Sequence, residues 1–142
     1  MHNKKHKEGN MEKKLIENKY GIIFRLYEPE ITRDIVTSIS ASYTAYMDKI
    51  TRDKLKEVTP CMGGQKPLIY LSCFGTNLYY QHRGYGRKML QWVKEYFADC
   101  VLWLHVCSGG EMTDDELIGF YESEGFNKLD DGYDFQTMYI EL

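Results

Sequence analysis

The chain has 142 residues, 43% of them hydrophobic, and its 18 basic and 21 acidic residues give a net charge of −3. This length predicts one domain with a substantial core, and the absence of a dominant basic stripe argues against a nucleic-acid-binding function. No apolar run has membrane length and the N-terminal residues lack the apolar segment of a signal peptide, so we expect a cytoplasmic protein without a membrane partner.

The cysteines and the N-terminal residues give no signal for a metal or for an additional domain. No His/Cys cluster has metal-ligand spacing, so we expect reduced thiols and no bound metal. Residues 1–14 are polar and lysine-rich, which predicts a disordered tail, with a nucleic-acid-binding arm as the alternative. We interpret residues 15–142 as a single domain. The cysteines, none in a Cys-x-x-Cys pair, are Cys61, Cys73, Cys100 and Cys107.

The first half of the chain predicts a strand followed by helical structure. Tyr20–Tyr27 is rich in aromatic and β-branched residues, which indicates the first strand. Between Ile31 and Lys56, apolar residues recur at helical spacing, so we predict a long helix or a helix pair. The residues of that apolar face are Ile31, Ile35, Ile39, Tyr43, Met47 and Ile50.

A second strand is predicted at Leu68–Thr76, a run rich in aromatic and other apolar residues. It follows a loop at Cys61–Pro67.

The most informative stretch of the chain is the turn Gln81–Leu90. Gly84 and Gly86 allow the backbone to point amide groups inward without a Cβ in the way. An amphipathic run follows, so the turn joins a strand to the N-terminus of a helix, where free N–H groups and a partial positive charge attract anions. This pattern predicts a seat for phosphate oxygens. A tight turn with a solvated basic face is the alternative, because two glycines alone are weak evidence.

The last third predicts a buried strand, a helix and a final strand. Cys100–Val106 is apolar at nearly every position, as in a strand covered on both faces. Thr113 and Glu116 have capping-box spacing, and Gly125-Phe126 predicts a Schellman cap that places Phe126 against Tyr121. A turn at Asp130–Gly132 leads to the final strand, Phe135–Leu142.

Two of these motifs together resemble the GCN5-related N-acetyltransferase (GNAT) superfamily. The turn, Gln81-His82-Arg83-Gly84-Tyr85-Gly86, matches the family signature Gln/Arg-x-x-Gly-x-Gly/Ala. Phe120–Phe126 matches its second mark, a tyrosine in a helix that ends in Gly-Phe. Both stand in the family's order and spacing, and the resemblance covers the chain from Leu68 onward. It implies an α/β (α+β) fold with a central, mixed, mostly antiparallel sheet flanked by helices. In such a fold Leu68–Thr76 would be the central strand, and the break in pairing that the family has in this strand is expected at Gly75-Thr76-Asn77, with a simple loop as the alternative. The few residues before Leu68 indicate that a hairpin before the central strand is shortened or missing.

The resemblance also implies an activity and a set of contacts. The activity is direct transfer of an acetyl group from acetyl-CoA to a primary amine of a small molecule or peptide, by a monomer or homodimer without a metal. Tyr43 and Tyr46 are weaker candidates for contact with the acceptor. The implied contacts with acetyl-CoA include Asp114, at the start of the next helix. The other implied contacts are Phe74, Thr76, Gln81, His82, Arg83, Gly84, Tyr85, Gly86, Arg87 and Lys88.

The sequence offers a candidate acid for the reaction but no clear base. Tyr121 is the candidate acid for the departing CoA thiolate, since a tyrosine keeps its proton at neutral pH; a core aromatic is the alternative. No acidic residue lies between Lys66 and Tyr80 to act as the base, and His82 and His105 are weak alternatives. Two other functions stay open: a catalytically inactive acyl-CoA-binding or regulatory module, and an unrelated nucleotide-phosphate binder.

Overall fold

The computed structural model describes residues 11–29, 34–43, 48–59, 66–107 and 112–142. They form one seven-stranded sheet with three helices, and a short 3-10 helix covers Leu78–Tyr80. The strands are β1 (Glu12–Asn18), β2 (Gly21–Tyr27), β3 (Ile35–Tyr43), β4 (Leu68–Thr76), β5 (Val101–His105), β6 (Asn127–Leu129) and β7 (Thr137–Glu141). The helices are α1 (Lys49–Val58), α2 (Tyr85–Tyr96) and α3 (Asp114–Ser123).

The sheet has the strand order β1-β2-β3-β4-β5-β7-β6. Strands β1 to β4 pair antiparallel in sequence, β4 and β5 pair parallel, and β7 lies antiparallel between β5 and β6. The parallel pair requires a crossover, and α2 supplies it. The predicted class, a mixed and mostly antiparallel sheet flanked by helices, is confirmed.

The sheet begins earlier in the chain than the sequence indicated. β1 starts at Glu12, inside the segment predicted to be a disordered tail, and β2 is the strand that we had expected to be the first. All seven residues of β1 are exposed, so β1 lacks the alternation of buried and exposed residues that identifies a strand in sequence. Residues 1–10 lie outside the described residues.

The long helix predicted from Ile31 to Lys56 is wrong. Its first half contains β3, and the single helix α1 begins only at Lys49. Ile35, Ile39 and Tyr43 are four residues apart, and a spacing of four lies on one face of a helix and on one face of a strand alike. The β-branched run from Ile35 to Thr37 favours the strand. Residues 30–33 and 44–47 lie outside the described residues.

The expected loss of a hairpin before the central strand is also wrong. β2 and β3 form a full antiparallel hairpin, and β3 pairs directly with β4. The hairpin was missed because its second strand had been read as helix. The helix α1 therefore follows the hairpin, whereas we had expected helical structure to precede it.

One face of the sheet is covered by α2 and α3 and holds most of the apolar core. Met89, Leu90 and Val93 of α2 are fully buried there, as the amphipathic pattern of the helix requires. Phe24 of β2 meets the Trp92 ring edge-on, with the ring centroids 5.0 Å apart. Other buried residues of this cluster are Ile22, Leu26, Ile39, Ile69, Leu71, Leu102, Leu104, Tyr121, Phe126 and Met138.

The other face is covered by α1 and has a smaller core. Its apolar cluster consists of Leu55, Val101, Trp103 and Leu129. Three polar side chains, Thr51, Asp131 and Thr137, are buried in the protein as well. The helix begins at Asp48, whose side chain accepts a hydrogen bond from the Thr51 N–H at 2.8 Å.

Both predicted caps of α3 are confirmed. Thr113 and Glu116 form a reciprocal capping box at its N-terminus. At its C-terminus Gly125 has a φ of +96°, and the Phe126 N–H donates to the Tyr121 carbonyl at 3.0 Å, which is the Schellman pattern. The cap places the Phe126 ring 5.6 Å from the Tyr121 ring.

Candidate functional site

The ladder between the two parallel strands at the centre of the sheet ends before β4 does. β4 pairs with β5 only from Leu68 to Leu71, opposite Val101 to Leu104; β4 continues to Thr76, whereas β5 ends at His105. Beyond Leu71 the backbone of β4 that faces β5 has no ladder partner in the described part of the chain. We call this place the β4–β5 opening, because its backbone donors and acceptors can bind another molecule.

A bulge directs the side chains of β4 at this opening. Ser38 pairs with Gly75 and Ser40 with Ser72, so Cys73 and Phe74 together oppose Ile39. Cys73 has a φ of +54° and is exposed, while Phe74 packs against the apolar core. The bulge lies one residue before the Gly75–Asn77 segment where we had predicted the break. A position between Ser72 and Gly75 carried no turn residue that would identify it in sequence.

The N-terminus of α2 lies at the end of this opening and has no side-chain cap. Gly84 is its N-cap residue, with a left-handed φ of +83°, and no side chain caps the first turn. A Cβ built on Gly86 would lie 3.5 Å from Phe74, 3.7 Å from Phe120 and 4.0 Å from the Thr76 hydroxyl. The uncapped first turn is thus next to the end of β4, where amide groups and the helix dipole favour an anion.

The predicted turn residues divide into exposed side chains and anchoring groups. His82, Arg83, Arg87 and Lys88 are exposed, and the Gln81 side-chain amide donates to the Thr76 carbonyl at 3.1 Å. Tyr85 is different, because its ring is only 2% exposed and belongs to the core. Only the backbone of Tyr85 is therefore placed to face a ligand.

The basic side chains around the turn already have partners. Arg83 lies over the Tyr80 ring and Lys88 over the Tyr85 ring, at 5.9 and 5.3 Å from the centroids. Arg87 Nε donates to Glu124 Oε2 at 2.7 Å, and Glu124 is 9% exposed. This ion pair joins the start of α2 to the end of α3. Arg87 is thereby a structural link between the two helices as well as a charge beside the anion seat.

Tyr121 lies against the opening on the face covered by α2 and α3. Its ring is 6.5 Å from Phe74 of β4 and 5.4 Å from Phe120. The side chain is 7% exposed, and this burial raises the pKa of Tyr121 to about 12. The hydroxyl therefore holds its proton throughout the neutral range, as the role predicted for it requires.

His105 lies on the opposite face, one residue beyond the last β4–β5 pair. Its ring contacts Tyr70, Trp103 and Phe135, with the Phe135 centroid at 4.4 Å. Its Nδ1 is 3.1 Å from the Thr137 hydroxyl. Burial lowers the pKa of His105 from its ordinary value of 6.5, although the negative charges of Asp131 and Asp48 partly oppose this shift. The imidazole is therefore neutral at pH 7.

Tyr43, one of the two tyrosines proposed for acceptor contact, is not brought to this opening. Tyr43 pairs with Ile69 at the start of β4, and its side chain is 51% exposed. Ile69 is five residues before Phe74, which is roughly 17 Å along a strand. Tyr46 lies outside the described residues. Asp114 is exposed in the first turn of α3, and the structure shows no further feature that connects it to the anion seat.

Sequence reasoning missed the polar residues behind His105. Thr137 donates its hydroxyl proton to Asp131 Oδ2 at 2.7 Å, and the Thr51 hydroxyl donates to the same oxygen at 3.2 Å. Asp131 had been interpreted only as part of a turn. The available signal was an apolar strand interrupted by a single histidine, which we had weighed as a core residue.

The part of the chain that the structure describes contains neither a metal-binding cluster nor a helix that could span a membrane. No group of three His, Cys, Asp or Glu side chains there has an arrangement that could hold a metal ion. None of the three described helices has the length and apolar character needed to cross a bilayer.

Comparisons with known proteins identify the fold. A scan against protein-family models found no match, and a search of curated proteins found none either. Among solved structures, the chain is similar to NAA60 of Arabidopsis thaliana in complex with acetyl-CoA, with a TM-score of 0.66 and 12% identity over 88% of this chain and 78% of that one. The fold that the sequence resemblance implied is confirmed.

Two further structures extend this similarity to bacterial proteins. The Bacillus subtilis N-acetyltransferase YlbP, in complex with coenzyme A, has a TM-score of 0.52 and 14% identity over 84% of this chain and 67% of that one. The Escherichia coli ribosomal-protein-S18-alanine N-acetyltransferase has a TM-score of 0.56 and 17% identity over 88% of this chain and 71% of that one. At these identities the similarity is one of fold.

Proposed function

We propose that this chain, which has the fold of the GCN5-related N-acetyltransferases, transfers an acetyl group directly from acetyl-CoA to a primary amine of a small molecule or peptide. The observation that carries the proposal is the end of β4–β5 pairing at Leu71 and Leu104, before β4 itself ends. That opening has an uncapped helix N-terminus at its end, a buried tyrosine on one face and a half-buried, neutral histidine on the other.

The donor fits the face covered by α2 and α3. Its diphosphate matches the uncapped first turn of α2 in charge, with exposed Arg83 and Lys88 beside it. The pantetheine arm carries amides and suits the unpaired backbone of β4, which offers both donors and acceptors. Phe74 and Thr76, at the end of β4, lie within contact distance of the same turn. Similar structures hold acetyl-CoA or coenzyme A.

The acceptor amine reaches the thioester from the other face in this proposal. At pH 7 most primary amines are ammonium ions and must lose a proton before attack. His105 Nε2 is the proposed base, because the imidazole is neutral and lies at the point where β4–β5 pairing ends. Tyr70 lies nearby but is no base, since burial raises the pKa of its phenol.

The reaction then balances with three proton transfers on the enzyme and the release of one proton to solvent. The ammonium group first gives a proton to His105, which later releases it to solvent; the neutral amine nitrogen then attacks the thioester carbon, and backbone N–H groups of β4 stabilise the oxyanion. The C–S bond breaks as the proton of the Tyr121 hydroxyl passes to the departing sulfur, and the remaining extra proton of the nitrogen passes through water to the Tyr121 phenolate and restores its hydroxyl. A thiolate that formed against this buried ring would be destabilised by desolvation, so a neighbouring donor stabilises the transition state for its release.

The test is an acetyl-CoA-dependent assay of thiol release with a panel of amines. The panel contains polyamines, aminoglycosides, amino acids and peptides with free N-termini; the peptides include an N-terminal alanine, since one similar structure is by its name an S18-alanine N-acetyltransferase. We expect acetyl-CoA at millimolar concentration to raise the melting temperature, and at least one amine to release CoA.

Each of the other outcomes would favour a different function. A raised melting temperature without thiol release from any amine would support the alternative, a module that binds acyl-CoA without turnover. Competition by ATP for the acetyl-CoA site would favour a nucleotide-phosphate binder. No stabilisation by acetyl-CoA and no release would contradict the proposal.

A further inference from the structure

His105 is connected to a buried carboxylate through a single hydroxyl group. Thr137, on β7, is fully buried and lies directly opposite His105 of β5 in the sheet. Its hydroxyl oxygen is 3.1 Å from His105 Nδ1 and 2.7 Å from Asp131 Oδ2. The three residues form a line from the sheet to the β6–β7 loop, in the order His105, Thr137, Asp131.

The Thr137 hydroxyl has only one proton, so it can donate in only one of its two hydrogen bonds and must accept in the other. That proton is donated to Asp131 Oδ2, because an ionised carboxylate only accepts. Toward His105 the hydroxyl oxygen can then act only as an acceptor, which requires a proton on Nδ1. A neutral imidazole has one N–H, so the lone pair of such a ring is on Nε2.

Asp131 is itself fixed by other contacts. It is 7% exposed, and the Thr51 hydroxyl of α1 donates to the same Oδ2 at 3.2 Å. Thr51 is also 3.3 Å from Asp48 Oδ2, at the N-cap of α1. These contacts orient the carboxylate toward Thr137.

We propose that Asp131, acting through the Thr137 hydroxyl, holds His105 as the Nδ1–H tautomer and so presents the Nε2 lone pair to the acceptor amine. Asp131 and Thr137 are thus positioning residues for the base. The inference rests on the proposed role of His105, but the tautomer itself can be measured without any acetyl donor or acceptor.

The direct test is nuclear magnetic resonance of the full chain labelled with ¹⁵N-histidine, at a pH where the imidazoles are neutral. Long-range ¹H–¹⁵N correlations distinguish the protonated ring nitrogen from the unprotonated one. The chain has four histidines, and the His105 signals are assigned by their loss in His105→Gln. We expect the proton on Nδ1.

Three variants test whether the hydrogen bonds from Asp131 through Thr137, and not packing alone, determine the tautomer of His105. Thr137→Ser keeps the hydroxyl and should keep the Nδ1–H form, whereas Thr137→Val removes it and should give a mixture of tautomers. Asp131→Ala removes the acceptor, so the Thr137 proton is free to point at Nδ1 and the preference for the Nδ1–H form should be lost. The Thr137 and Asp131 variants are checked for a cooperative melting transition. Should Thr137→Val fail to fold, the unmodified chain, Thr137→Ser and Asp131→Ala still decide the question.

The outcomes divide cleanly. A proton on Nε2 in the unmodified chain, or an unchanged tautomer in folded Thr137→Val or Asp131→Ala, would overturn the inference. If the chain turns over an amine, Asp131→Ala should also lower kcat by roughly tenfold, a part of what a positioned base supplies, with KM for acetyl-CoA unchanged. If no amine is turned over, the proposed function fails while the tautomer result stands independently.

Discussion

The two faces of the sheet are built from different kinds of interior. The face covered by α2 and α3 is almost wholly apolar and aromatic, from Phe24 at β2 to Phe126 after α3. The face covered by α1 has a small apolar cluster and, in addition, three buried polar side chains that hydrogen-bond to one another. The β4–β5 opening lies between these two environments.

This difference separates two tasks. Apolar burial contributes about 25 cal/mol per Å² and depends little on orientation, so the α2/α3 face stabilises the fold and shapes the walls of a groove. A buried hydrogen bond adds only about 1 kcal/mol net but fixes direction. The α1 face thus gains little stability from Asp131 and Thr137, and what it gains is a fixed orientation of His105. Substitutions on the two faces should accordingly fail in different ways.

The largest effect is expected at the anion seat, from Gly84→Asp. The side chain would place a negative charge at an uncapped helix N-terminus, where it competes with phosphate, and like charges about 4 Å apart near a protein surface repel by about 4 kcal/mol. We expect acetyl-CoA affinity, measured by titration calorimetry, to fall by at least about 100-fold.

The matched control for this variant is Gly84→Asn. A Cβ at Gly84 meets nothing within 4 Å, and asparagine has the same shape and tolerates the left-handed backbone. It should therefore retain most of the affinity. Equal losses for both variants would show that backbone strain, and not charge, governs binding at this turn.

The next effect concerns Tyr121→Phe, on the same face. The change removes the hydroxyl and keeps the ring contacts to Phe74 and Phe126. Steady-state kinetics should show kcat reduced by roughly 100-fold, the scale of general-acid catalysis, with acetyl-CoA affinity nearly unchanged and stability lowered by at most about 1 kcal/mol. Normal turnover with a weakened fold would instead make Tyr121 a structural residue.

The smallest effect is on stability alone, at the end of α3. Gly125→Ala places a Cβ 3.0 Å from Ile140 Cδ1 at a φ of +96°, and a left-handed backbone costs a non-glycine residue about 1–2 kcal/mol. Gly119→Ala, in the same helix with open space around it, should stabilise by up to about 1 kcal/mol. Urea unfolding of both variants measures whether each change raises or lowers the free energy of unfolding. Equal shifts would mean that the cap does not hold the helix end that carries Tyr121.

The parts of the site that depend on residues close together in the chain were predicted from the sequence. The glycine turn before α2 and the cap after Tyr121 obey local rules of φ and hydrogen bonding, and both were located correctly. The assignment of Tyr121 and Phe74 to one site came from the family resemblance, because no local rule connects residues so far apart in the chain.

Where the site depends on distant residues, the sequence did not predict it. β3 was taken for helix because its apolar residues are four apart, which does not discriminate between the two structures. The line from His105 to Asp131 crosses from β5 to β7 and the β6–β7 loop, and His105 and Thr137 are 32 positions apart in the chain. A buried aspartate in a turn with glycine is indistinguishable in sequence from an ordinary turn residue. Strand pairing in the folded protein is what brings these groups together.

The pH dependence of kcat/KM, measured with an amine found in the panel, tests most directly that His105 takes the proton of the acceptor. The pKa of His105 is lowered by burial, so its neutral form is present above that lowered pKa and is lost as the pH falls through it. We predict that kcat/KM of the unmodified chain rises with pH below 6.5 and then levels off, since the bound ammonium ion gives its proton to His105. His105→Gln must use amine that has already lost its proton in water, so its kcat/KM should keep rising up to the acceptor's own pKa. Two profiles of the same shape would contradict the account.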